Sequence, residues 1–164
     1  MSDKLSKAPT LSLDLSDFNH ITRSELHYDD HIGLNNALRE AQHSTHSTQV
    51  GASVNGIDSW NKDGHHAESL VVYHCARLGI RTQDATMYAP WASCLHCAQA
   101  IQAAGIQRVV VCKVLMEKTS EKWLTSVEQG LSLLYDHNIR VDVVDTEEGY
   151  FGYDIRMDGK VVKV

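Results

Sequence analysis

No stretch of this 164-residue chain approaches the roughly 18 consecutive apolar residues that a membrane-spanning helix needs. The opening run MSDKLSKAPT also lacks the apolar segment of a secretory signal. These absences set the expectation of a soluble, cytoplasmic protein with no membrane partner. Cysteine is scarce: four residues, at 75, 94, 97 and 112, are too few and too unevenly spaced for a disulfide scaffold. In a reducing compartment such thiols serve as metal ligands, reactive groups or small core residues. Positive charge is in deficit as well, with 15 Lys and Arg against 21 Asp and Glu and a formal net charge of -6. A polynucleotide is bound mainly by neutralising its phosphates, so a long nucleic-acid partner is not expected. A single phosphate needs only one or two local cations, which leaves a nucleotide substrate open.

What is present fits one compact domain. The 43% hydrophobic content over this length is enough to bury a core without staples. The first twenty or so residues, rich in Ser, Asp and Lys, have no strong period, and residues 1–23 read as an arm with partial disorder. Ile32, Leu34, Ala37, Leu38 and Ala41 then approximate one helical stripe, broken by HSTHST. QVGASV and IDSWN read as short strands joined at Asn55-Gly56, a pair that tolerates the positive φ angles of a tight hairpin turn. HHAESLVVYHCARLGI reads as a second helix stopped by Gly79, ATMYAPW as a strand ended by Pro90, and CLHCAQAIQAAG as a third helix. RVVVCKV and RVDVV are strand-like, with a helix marked by Trp123, Val127, Leu131 and Leu134 between them. A strand, helix and strand in succession imply a right-handed crossover, so these last two core strands should run parallel. YFGYDIRM and KVVKV around Asp158-Gly159 form a second hairpin signal, expected as an added edge or an oligomer contact. Domain boundaries follow at 24–146 for the main unit and 147–164 for the hairpin extension.

Three candidate metal ligands fall at helix beginnings: His66 opens the second helix, and Cys94 and Cys97 open the third. Zinc accepts imidazole nitrogen and thiolate sulfur, and a catalytic zinc keeps three protein ligands with one position left for water. Helix N-termini favour thiolates over thiols. Glu68 is suited to move protons beside the metal as a general acid and base. Residues two apart do not share a helix face, so periodicity alone does not bring His66 and Glu68 to one ion. Cys-x-x-Cys alone is equally ambiguous between a redox pair, a metal site and coincidence.

With HHAES upstream, however, the run APWASCLHCAQAIQAAGIQRVVV resembles the cytidine and deoxycytidylate deaminase superfamily, whose His-x-Glu and downstream Pro-Cys-x-x-Cys build a zinc site. The likeness runs from about Thr48 to Val144, and CAQAIQAAGIQRVVV is most similar to the deoxycytidylate branch. It implies an α/β fold: a three-layer α/β/α sandwich on a five-stranded mixed sheet, here carrying the C-terminal β-hairpin. It also implies Zn2+ as cofactor on His66, Cys94 and Cys97, Glu68 as proton shuttle, substrate contacts at Asn61 and Ala67, and a homo-oligomer. The implied reaction is hydrolysis of dCMP to dUMP and ammonia. Ser93 stands where the family has proline, with Pro90 three places earlier, and the nucleotide-effector segments of larger deoxycytidylate deaminases have no counterpart.

Other readings remain beside this one. Trp91, three residues before Cys94, resembles the tryptophan of polynucleotide-editing deaminases, so a base in single-stranded nucleic acid or tRNA is an alternative substrate; so is a free nucleoside. Asn61 can instead hold a turn. A fourth ligand from His65, His74 or His96 would make the metal purely structural and the protein a non-catalytic binding module. Cys75 and Cys112 are read as core. Arg23, Lys62, Arg77 and Arg81 are the nearest cations in sequence, with none assignable to a phosphate.

Overall fold

A computed structural model describes residues 15–164. Residues 1–14, where most of the expected arm lies, fall outside the described residues. Among the described residues eight strands are formed: β1 (Asn19–Thr22), β2 (Gly51–Val54), β3 (Ile57–Trp60), β4 (Thr86–Tyr88), β5 (Arg108–Cys112), β6 (Arg140–Asp145), β7 (Asp154–Met157) and β8 (Lys160–Lys163). The helices are α1 (Tyr28–Ala41), α2 (Ala67–Leu78), α3 (Leu95–Ala103), the single turn α4 (Lys113–Met116) and α5 (Glu121–Asp136). No helix among the described residues is long and apolar enough to cross a membrane.

The main sheet has six strands in the order β1-β6-β5-β4-β2-β3, not the five expected. The sixth is β1, which lies in the segment read as an arm and adds parallel to β6, pairing Ile21 with Val144. Its NHIT sequence is too short and polar to show a strand period; only Ile21 is buried, and Asn19 is fixed by a 2.8 Å side-chain hydrogen bond to Asp142. As expected, β5 and β6 are parallel. The β2–β3 hairpin turns at Asn55 and Gly56, both at positive φ.

Alternating residues of the central strands feed two cores, as the strand period of two requires. Val109 and Val111 pack with Val71 of α2, Ile101 of α3 and Leu131 of α5 on one face. On the other, Val110 and Cys112 pack with Leu34 and Leu38 of α1 and with Ile155 and Val162 of the C-terminal hairpin. Cys75 and Cys112 are buried core residues, as read from the sequence. Ile32 is a correction: it points away from the α1 stripe and is exposed. The C-terminal hairpin β7–β8 forms as expected, but as its own two-stranded sheet rather than an added edge of the main one.

Since β3 and β4 each run antiparallel to β2, they point the same way, and β5 and β6 follow β4. The loops into α2 and α3 therefore open at one end of the sheet, which brings two helix N-termini together.

Candidate active site

His66 is the N-cap of α2, in extended conformation at φ -79 and ψ 152, and Glu68 follows in the first helical turn. The mismatch of a two-residue spacing with a helix face thus disappears: the imidazole leaves the chain before the helix begins. Cys94 is likewise the N-cap of α3, with Cys97 three residues on. N-cap and third helical position lie close to each other, the relationship that a capping box exploits, so both sulfurs face one point.

That point is shared with the imidazole. His66 Nδ1 is 3.3 Å from Cys94 Sγ and 3.4 Å from Cys97 Sγ. The three donor atoms all lie within 4.8 Å of one another, and no fourth His, Cys, Asp or Glu joins the group among the described residues. Of the residues considered as a fourth ligand, His65 packs edge-on against Tyr73, His96 faces a groove between α2 and α3, and His74 is outside the group. Glu68 is buried, and its Oε2 accepts from the Cys97 thiol at 3.5 Å. Ser69 Oγ is also 3.5 Å from that sulfur, a contact with no motif to announce it.

The cysteine pair divides its protons unequally. The Cys97 hydrogen bond, aided by His66 against the opposing effect of burial, brings the Cys94 thiol down to about 4. Bonding to the Cys94 thiolate, together with burial, drives Cys97 the other way. His66 is raised, chiefly by its bond to Cys94. Glu68 is raised by burial first and by the Cys94 charge second. Two sulfurs and an imidazole converging on one point fit a thiophilic dication, whose binding releases the remaining thiol proton.

A cleft opens over this cluster, lined by Asn61, His66, Glu68 and Cys94 with Trp91, Trp123, Val127 and Met157 among its other walls. Asn61 is spoken for on two sides: its Oδ1 accepts from the Val50 N–H and its Nδ2 donates to the Thr48 carbonyl, both at 2.8 Å. It therefore shapes the Thr48–Val50 wall while facing the cleft. Ala67 is fully buried and does not line the cleft. Trp91 is buried with its Nε1 donating to the Gln49 carbonyl at 2.8 Å, so its ring is held in the wall. Arg23 pairs with Glu147 and Arg81 with Asp84, both away from the cleft.

Trp123 was legible in the sequence only as part of a helical stripe. It stands edge-on to the His66 ring, with centroids 5.5 Å apart and planes at 74°, and its buried indole N–H has no partner among the described residues. Thr48, in the polar HSTHSTQV segment, and Met157, from the C-terminal hairpin, also line the cleft without a sequence signal. Ser93 is buried, and its carbonyl lies under Gly130 of α5, where any side chain would collide with it.

A family model for the cytidine and deoxycytidylate deaminase zinc-binding region matches residues 32–113, half of the chain. No curated protein matches. Among solved structures, the chain is similar to a diaminohydroxyphosphoribosylaminopyrimidine deaminase/5-amino-6-(5-phosphoribosylamino)uracil reductase from Thermotoga maritima, at 20% identity and a TM-score of 0.57. That likeness covers 70% of this chain and 36% of the Thermotoga protein, so this chain spans about a third of that relative. It is also similar to dCMP deaminase from the cyanophage S-TIM5 in apo form, at 19% identity and a TM-score of 0.55, over 70% of this chain and 96% of the phage protein. The same phage enzyme in complex with dCMP and dUMP gives 18% identity and a TM-score of 0.54, over 67% and 92% of the two chains. At these identities the structural likenesses establish a shared fold.

Proposed function

As the chain belongs to the family defined by the cytidine and deoxycytidylate deaminase zinc-binding region, we propose that it hydrolyses the exocyclic amine of a cytosine ring in a small substrate, converting R-NH2 and water to the carbonyl product and ammonia. The observation that carries this reading is the pairing of a three-donor group with a buried carboxylate that stands beside it and outside it.

His66, Cys94 and Cys97 would hold the zinc, which when bound acts as a Lewis acid and makes a coordinated water nucleophilic near neutral pH. The chain's own part is proton traffic and positioning. Glu68 takes a proton from the attacking water and delivers it to the ring nitrogen, then takes the remaining hydroxyl proton from the carbon adduct and gives it to the departing amine, work that suits a buried carboxyl whose affinity for protons is raised. Trp123, edge-on to His66, fixes the imidazole plane. Trp91, Trp123 and Val127 exclude water and offer apolar faces to a planar base. Asn61, with one amide hydrogen and one lone pair uncommitted, is the candidate for a polar contact to the sugar.

Two forms of substrate fit this chemistry. dCMP is supported by the deoxycytidylate-like run after Cys97 and by the likeness, over 70% of this chain, to the phage dCMP deaminase. An uncharged cytosine nucleoside is supported by the lining of the cleft, which contains no Lys or Arg among the described residues. A base within a polynucleotide gains no support from Trp91, whose ring is built into the wall. A homo-oligomer and a cytoplasmic setting complete the proposal; the exposed apolar side chains Tyr73, Leu78 and Ile80 support the former and four unpaired cysteines the latter.

Ammonia release by zinc-loaded protein, measured across cytosine, cytidine, deoxycytidine and their phosphates, tests the reading. Turnover of at least one of them, lost on Glu68→Gln, is the expected result; a zinc-loaded protein inert toward all would overturn it.

A further inference from the structure

Resting on the deaminase reading above, we propose that the C-terminal hairpin makes the cleft selective for an uncharged cytosine nucleoside, with Asp158 excluding phosphorylated substrates by occupying the rim cation Lys122.

The cleft's ionisable walls are His66, Glu68 and Cys94; the rest are neutral or apolar. A phosphate monoester brings a charge of about -1.5 to -2 and is recognised by charge-assisted donors, usually Arg or Lys. Four cations are chain neighbours of lining residues, and each is directed elsewhere. The Lys62 ammonium sits 4.4 Å over the Trp60 ring. Arg156 Nη2 donates to the Ser44 carbonyl at 3.3 Å. Lys118 lines a separate depression beside Asp145. Lys122, next to Trp123 at the start of α5, is paired with Asp158.

Asp158 follows Met157, which lines the cleft, and it is held in place from two sides. Its backbone N–H donates to Thr48 Oγ1, and its Oδ1 accepts from the same hydroxyl, each at 3.1 Å. The hairpin behind it is fastened to the Ser47–Gln49 wall: Gln49 N–H donates to the Arg156 carbonyl at 2.8 Å, Arg156 N–H to Gln49 Oε1 at 3.1 Å, and Gly159 N–H to the Ser47 carbonyl at 2.8 Å. A fixed carboxylate therefore stands next to Thr48 and Met157 of the cleft wall, and Lys122, beside Trp123 of the same wall, is paired with it. Lys122 is more than half exposed, so the ion pair contributes little to folding; its effect falls on what enters. Neutral ligands meet no penalty there, whereas a phosphate meets the Asp158 carboxylate and, among the described residues, no Lys or Arg in the cleft lining.

The test compares deoxycytidine with dCMP on the zinc-loaded full chain. The wild type should show a kcat/KM roughly two- to five-fold higher for deoxycytidine, the effect of one screened charge contact. Asp158→Asn, whose side chain tolerates the positive φ of this turn, should move the ratio toward dCMP by roughly two- to five-fold, and adding Lys122→Met should reverse the gain. Calorimetric binding to zinc-loaded Glu68→Gln protein reads the same preference without turnover. Tighter binding or faster turnover of dCMP by the wild type overturns this inference and leaves the deaminase reading standing. An unchanged ratio in Asp158→Asn also overturns it. If neither compound binds and no cytosine compound yields ammonia, both fall together.

Discussion

Glu68 Oε2 lies 3.5 Å from Cys97 Sγ, yet its carboxylate is outside the cluster formed by His66, Cys94 and Cys97. A carboxylate in that position contacts the metal's surroundings without using up a coordination position, and it is buried where an idle charge would be costly. Glu68→Gln should therefore separate binding from chemistry. We expect turnover to fall by about 10²–10⁴-fold, the usual contribution of a positioned acid and base, while zinc content by metal analysis stays at one per chain.

Removing a ligand should have the opposite signature. Cys97→Ala leaves two donors, so stoichiometric zinc should be lost along with activity. The wild-type protein should also melt at a lower temperature after treatment with a chelator, because a ligand bound only to the folded state stabilises it. A melting curve with and without chelator, monitored by circular dichroism, checks this.

Gly130 connects the fourth long helix to the metal site. A Cβ there would run into the Ser93 carbonyl and stand 2.9 Å from the carbonyl carbon of Cys94, both backbone atoms that cannot swing aside. Gly130→Ala should destabilise the fold by about 1–3 kcal/mol, as over-packing does, and should weaken zinc retention in competition with a chelator. Alanine at the exposed Gln129 serves as the control and should do neither.

Away from the site, Arg108 binds Asp30 through both guanidinium arms and Asp142 through its Nε, at 2.6–2.8 Å. Burial alone would raise both carboxyls, but Arg108 and then Tyr88 hold Asp30 below its ordinary value, and Arg140, followed by Asn19 and Arg108, does the same for Asp142. Carboxyls depressed in the folded state add stability that is complete above about pH 4 and is lost as pH falls through the folded values. Arg108→Leu should cost about 3–5 kcal/mol at pH 7 in urea denaturation, because it strands buried charge. The deficit should shrink toward pH 4 as Asp30 becomes protonated in the variant.

The parts of the fold that were legible in the sequence are those written in period or in turn chemistry. The Asn55-Gly56 hairpin, the parallel pair β5 and β6, and the helices that begin after His66 and Cys94 all carry such marks. β1 was not legible, since four residues with one buried side chain leave no alternation to detect, and its pairing depends on a partner over a hundred residues away. The same limit applies to the cleft. His66, Cys94 and Cys97 are close because their helices start at one edge, and the motif spacing reports it. Thr48, Trp123 and Met157 reach the cleft from a loop, α5 and the hairpin through tertiary packing alone, and their residue types announce nothing. Glu68 and His66 needed the observation that a helix begins between them.

The central claim is that three protein donors hold one zinc and leave a position for water. X-ray absorption at the zinc edge of the purified, zinc-loaded protein tests it most directly. The account predicts one nitrogen at about 2.0–2.1 Å, two sulfurs at about 2.3 Å and one light oxygen scatterer. A third sulfur, a second imidazole, or a protein that takes up no zinc would contradict it.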